Sequence, residues 1–109
     1  MVTMINLHIV NNENREQAMA LLKENTDLAK KAKGFVSRQV FFSVKDPTKG
    51  YSITTWETRE DMEAFRVNPE RPPMVTEGEE KRVYEKTAKG NILLFTRTDP
   101  DIFELVYSS

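Results

Sequence analysis

Residues 4–10, Met-Ile-Asn-Leu-His-Ile-Val, alternate in character. Ile5, Leu7 and Ile9 take one parity and Met4, Asn6, His8 and Val10 the other, the pattern of a strand with two unlike faces. Asn11-Asn12-Glu13-Asn14 then supplies turn chemistry and possible helix N-caps. Over 15–32 the spacing becomes helical, with Ala18, Leu21, Leu22, Leu28, Ala29 and Ala32 on one stripe and Asn25 as its polar interruption. Asn25-Thr26-Asp27 is a place for a kink or a second cap. Gly34 sits where a left-handed residue closes a helix, after Lys30, Lys31 and Lys33 near the negative end of its dipole.

Residues 35–44, Phe-Val-Ser-Arg-Gln-Val-Phe-Phe-Ser-Val, are rich in β-branched and aromatic types and predict a strand. Asp46-Pro47-Thr48-Lys49-Gly50 is a turn, and Tyr51–Trp56 completes an antiparallel hairpin. Thr58 N-caps a helix over 59–67, with Asp61 at its third position and Met62 and Phe65 on one face. Pro69, Pro72 and Pro73 end it. Residues 74–89 carry opposite charges three or four apart, which predicts an exposed helix closed by Gly90-Asn91. Two apolar runs, 92–96 and 102–107, flank Thr98-Asp99-Pro100-Asp101. Either is a candidate last strand, and together they are a candidate terminal hairpin. The whole order, strand-helix-strand-strand-helix-(helix)-strand, is that of an α+β, ferredoxin-like split β-α-β domain. Its helices cover one sheet face, so a second copy of the chain is expected on the other.

The chain has 109 residues, the size of one domain, and no linker or repeat divides it. Sixteen Lys and Arg against 17 Asp and Glu give a net charge of −1, and no basic run exceeds Lys30–Lys31, which argues against a nucleic-acid partner. With no Cys, disulfides, thiolate nucleophiles and Cys-ligated metals are excluded, and a single His excludes the usual multi-His metal sites. No apolar run approaches the roughly 20 residues of a membrane span. The first residues lack a basic segment and a leader-like apolar stretch, so a cytoplasmic location is expected.

Gly34-Phe35-Val36, Asp46-Pro47, and above all Tyr51-Ser-Ile-Thr-Thr-Trp56-Glu57-Thr58-Arg59-Glu60 running into the helix 61–66 and Asn68-Pro69 carry a resemblance. Over about residues 3–70 the chain resembles the antibiotic biosynthesis monooxygenase family of dimeric α+β barrels. The resemblance implies one of two chemistries. One branch oxidises hydroxylated polyaromatics to quinones with molecular oxygen and no cofactor. It uses a strand-end Trp, matched by Trp56, an Asn where this chain has Ser52, and a Tyr where it has Met62. The other branch binds and degrades haem through an Asn, a Trp and a downstream His, at whose places this chain has Leu7, Phe65 and Val75.

The candidate catalytic residues are His8, whose reference pKa near 6.5 suits a general base, and Trp56, which would wall a pocket for a planar ring. The candidate substrate-binding residues are Asn6, Arg38, Ser52 and Phe65. Each has a plainer alternative. Trp56 would be a packing anchor at the strand-to-helix turn. His8 and Asn6 would form a hydrogen-bond network at a subunit interface. Arg38, on the face of Val36, Val40 and Phe42, would pair with an acid across that interface. Met62 and Phe65 fit the helix's core stripe. The acid-rich stretch 77–80 reads as a solvated, self-paired face and not as a metal site. The expected function is cofactor-independent oxygenation of a planar hydroxylated aromatic by a homodimer. The alternatives are a non-catalytic ligand-binding barrel and a haem-binding or haem-degrading protein.

Overall fold

The computed structural model describes residues 1–109. Strand β1 (Val2–Val10) runs through the middle of the sheet, and a single 3-10 turn (Asn12–Asn14) leads into helix α1 (Arg15–Lys30). The hairpin β2 (Phe35–Phe42) and β3 (Lys49–Trp56) follows, then helix α2 (Arg59–Arg66). Strands β4 (Met74–Glu77), β5 (Arg82–Thr87) and β6 (Gly90–Glu104) complete the chain. All strand pairs are antiparallel, in the order β2-β3-β1-β6-β5-β4. Four of these strands, β6-β1-β3-β2, reproduce the ferredoxin-like sheet, and the β4–β5 hairpin extends it by two.

Local chemistry explains most boundaries. The Thr58 side chain accepts from the Asp61 amide at 3.1 Å and donates to the Asp61 carboxylate at 2.9 Å, so both ends of the cap are tied. Gly34 has φ +81°, and a Cβ there would run into the Asp61 carboxyl. The Gly34 carbonyl accepts from the Glu57 amide, which joins the start of β2 to the end of β3. At Asn25-Thr26-Asp27 helix α1 continues without a break. The Thr26 hydroxyl bonds back to the Leu22 carbonyl at 2.8 Å, so this triplet is absorbed by the helix instead of capping it.

Residues 74–89 are the main correction. They form the β4–β5 hairpin and no helix. Gly78 and Lys81 take positive φ at the turn, where Glu77 stands opposite Arg82 in register and Arg82 pairs with Glu80 at 3.7 Å. The β-branched Val75, Thr76, Val83 and Thr87 favour strands over the helix that the charge spacing suggests. The two C-terminal apolar runs are one strand, β6, and not alternatives or a hairpin. Pro100 lies within it, opposite Asn6 of β1, beyond the last residue that β5 pairs, so its missing N–H removes no ladder bond on the outer side.

The helices cover one sheet face. Val10, Ala18, Leu21, Leu22, Val83, Leu94 and Phe95 pack at one end of that layer, and Val2, Ala29, Trp56, Met62 and Phe65 at the other. The space between these two clusters is the cavity described next. The opposite sheet face carries Ile5, Leu7, Ile9, Phe41, Tyr51 and Ile53. No helix covers it, and Phe41 and Tyr51 are exposed.

Candidate functional site

Register places the polar residues of the inner face side by side. Met4 lies opposite Thr54, and Thr54 opposite Arg38; Asn6 lies opposite Ser52. His8 lies opposite Thr98 on its other flank. Strand period two then turns Asn6, His8, Ser52, Thr54 and Trp56 to the helix side together. They line a cavity of about 570 Å³, with Arg38 beside them and Met62 and Phe65 of α2 on the wall. All six candidate residues, Asn6, His8, Arg38, Ser52, Trp56 and Phe65, border this one space.

That placement corrects the interface alternatives. Asn6 and His8 face the helices, on the opposite side from the open sheet face. Arg38 pairs with no acid. Its Nε donates to Thr26 Oγ1 and its Nη1 to Thr54 Oγ1, both at 2.8 Å. A register shift between Phe35 and Ser37 takes Val36 out of the alternation, so Phe35, not Val36, shares the inner face with Arg38. Phe35 meets the Trp56 ring edge-on, with centroids 5.9 Å apart. Trp56 is 2% exposed and also lies 5.2 Å from the Phe65 ring. It is therefore a packing anchor and a cavity wall at once. The aromatic cluster lines the space without filling it.

His8 is 6% exposed and set against Phe95, ring centroids 5.0 Å apart. Its Nε2 is 3.0 Å from Ser52 Oγ, and its buried Nδ1 has no partner in the protein. Burial, then the Arg38 charge, holds its pKa down to about 4, so the imidazole is neutral at neutral pH. When Nε2–H donates to the Ser52 hydroxyl, Nδ1 presents a free lone pair to whatever enters; in the other tautomer Nδ1 carries a proton to donate. Asn6 Oδ1 is likewise buried without a partner. Two orphaned polar atoms along one cavity are what a polar ligand would satisfy.

Periodicity gives no reason to single out Arg71, which follows α2 between prolines. It reaches back to the cavity, donating from Nε to Asn25 Oδ1 at 3.2 Å and lying 5.1 Å over the Phe65 ring. The β4–β5 turn also contributes. The Thr98 hydroxyl donates to the Lys81 carbonyl at 2.8 Å, which ties that turn to β6 at the cavity's edge. No group of three or more His, Cys, Asp or Glu side chains is arranged to hold a metal ion. No helix is long and apolar enough to cross a membrane.

The family model for antibiotic biosynthesis monooxygenases matches residues 1–71. The chain belongs to that family. Solved structures agree on the fold. A cofactor-independent oxygenase, SnoaB from Streptomyces nogalater, aligns with a TM-score of 0.72 at 11% identity, over 98% of this chain and 94% of its own. Rv0793 from Mycobacterium tuberculosis aligns at 0.71 and 15%, over 99% and 97%. PA3566 from Pseudomonas aeruginosa aligns at 0.69 and 14%, over 97% and 94%. No curated protein sequence matches the chain. The β4–β5 hairpin and β6 lie beyond the 71 residues that the family model covers.

Proposed function

We propose that this family member is a cofactor-independent monooxygenase acting on a planar hydroxylated aromatic such as a naphthohydroquinone. The observation that carries the reading is the convergence of His8, Ser52, Arg38 and Trp56 on one cavity with aromatic walls and a polar floor. Trp56 and Phe65 would flank the ring. His8, oriented by Ser52, would accept the hydroxyl proton at Nδ1. Arg38 would stabilise the resulting anion. The anion gives one electron to oxygen, the radical pair recombines at a ring carbon that bears hydrogen, and the peroxide takes back the proton from His8; that carbon's hydrogen then leaves with the distal oxygen as water, so the product is a quinone carrying one new oxygen. The family's cofactor-independent branch, to which SnoaB's description also belongs, supports this class of reaction.

The active form proposed is a homodimer that buries the open sheet face. Phe41, Tyr51 and Leu7 form one row across that face and Ile53 and Ile5 the next, an apolar surface able to pack on its own copy. A cytoplasmic location is proposed with it, on the absence of Cys.

The non-catalytic alternative rests on Ser52 and Met62 standing where the oxygenase branch has Asn and Tyr. The haem reading has less support. Of the three positions that its branch uses, Leu7 and Val75 do not border the cavity. The test is quinone formation from naphthohydroquinones under air, followed by absorbance, beside a haem titration. Enzyme-dependent quinone supports the proposal. Binding without turnover assigns the non-catalytic barrel, and a saturable Soret shift that bleaches with ascorbate assigns the haem branch.

A further inference from the structure

The charge around the cavity is one-sided. Arg38, Arg66, Arg71 and Lys81 border it, and no Asp or Glu does. Arg66 is satisfied elsewhere, on Glu63 at 3.2 Å, and Lys81 is exposed on its turn. Arg38 and Arg71 are different. Both are half-buried, and neither takes part in any ion pair. Every acceptor that holds them is neutral: Thr26 and Thr54 for Arg38, and Asn25 and the Arg66 carbonyl for Arg71. In each guanidinium Nε and Nη1 are used this way, and Nη2 donates to nothing in the protein. Asn25 and Thr26 are neighbours on α1, so the two forks are moored one residue apart on the same helix.

Two like charges held side by side and partly out of water are unfavourable unless an anion joins them. Burial is the larger cause of a lowered pKa in both. Burial and then Arg71 push the Arg38 pKa down to about 10, and burial and then Arg66 lower that of Arg71. Proteins seldom leave such a pair without a counter-ion, and none of the surrounding side chains supplies one. With Nε and Nη1 of each guanidinium held by neutral partners, the Nη2 groups are left free to receive the oxygens of an anion.

We propose that Arg38 and Arg71 are the two arms of a carboxylate clamp, and that the ligand of this cavity is a planar aromatic acid. The proposal rests on reading the cavity as the substrate site, and it narrows the substrate to a hydroxylated arene with a carboxylate on the ring. Arg71, stacked on Phe65, holds the acid end. Arg38 lies between the acid and His8, so an ortho hydroxyl falls toward the imidazole. Each guanidinium has only Nη2 left to give, so the pair offers two single donors, one for each oxygen of a carboxylate.

Trp56 is the chain's one tryptophan and walls the cavity, so its fluorescence reports binding directly. The experiment titrates 1-hydroxy-2-naphthoate and 1-naphthol into the wild-type protein and into Arg71→Gln at neutral pH. The expected result is tighter binding of the acid by about 10- to 100-fold, the worth of a charge-assisted pair, and loss of that margin in Arg71→Gln with 1-naphthol affinity kept. Retained 1-naphthol binding shows the cavity intact. If Arg71→Gln does not fold, Arg71→Lys answers the same question, since it keeps the charge but not the fork and should lose most of the preference. Equal affinity for the two probes overturns the clamp, as does a loss that falls on both alike. Displacement of the acid by inorganic phosphate at equal concentration overturns the carboxylate assignment. The outcome separates from turnover: acid-selective binding without quinone formation keeps the clamp and removes the oxygenase. Quinone formation with no acid preference does the reverse.

Discussion

His8 lies against Phe95, out of water and near an arginine charge, and its burial and the Arg38 charge act on its proton in the same direction. Its pKa of about 4 in the folded chain lies below the unfolded value near 6.5. Between those values the unfolded chain binds a proton that the folded chain does not, so stability falls as pH drops through that window. The expected loss is about 2 kcal/mol between pH 7 and pH 5 from this residue alone. Urea unfolding at the two pH values measures it, and in His8→Gln most of the difference should vanish. Ser52 is the residue that sets the ring's direction. Ser52→Ala should leave the fold standing and lower turnover at least about tenfold, with KM nearly unchanged, because the variant loses proton-transfer geometry and no binding surface. A proportional rise in KM would make Ser52 a ligand contact instead. In the sequence, strand alternation assigns a face to Asn6, His8, Arg38, Ser52 and Trp56, and helical spacing assigns one to Phe65. It was silent on Arg71, because a side chain that reaches back across two elements leaves no period.

Helix α2 and the start of β2 are held by one small assembly: Thr58, Asp61 and Gly34. Gly34→Ala should destabilise by about 2 kcal/mol, since it adds a left-handed strain and displaces the carboxylate that accepts from the capping Thr58 hydroxyl. Thr58→Ala should cost about 1 kcal/mol, and the double variant less than the sum, because both changes act through Asp61. Denaturant midpoints of the four proteins check this. β1, α1, the β2–β3 hairpin and α2 are legible in the sequence because each has one dominant period and a chemically marked end. The stretch 74–89 is not. Its charges suit a helix by spacing, and only Gly78 and the β-branched residues point to the hairpin. Asp99-Pro100-Asp101 reads as a turn until the sheet order is known. Pro100 is tolerated in β6 only because β5 has already stopped pairing there.

The molecule as a whole presents one sheet face to its helices and leaves the other bare. A sheet with Leu7, Ile53, Tyr51 and Phe41 on its open side should not remain single in water. Light scattering is expected to give a mass of about twice 12.6 kDa, and Tyr51→Asp should shift it toward one chain. A wild-type monomer would remove the dimer from the account. The cavity lies on the opposite side of the sheet from that face and is bounded by residues of this chain. The most direct test of the account is oxygen consumption with a naphthohydroquinone, read on an electrode against the uncatalysed rate. Uptake should be proportional to protein, with one oxygen molecule per quinone, and should fall by about 100-fold or more in His8→Gln. Uptake at the uncatalysed rate, or His8→Gln at full activity, would contradict it.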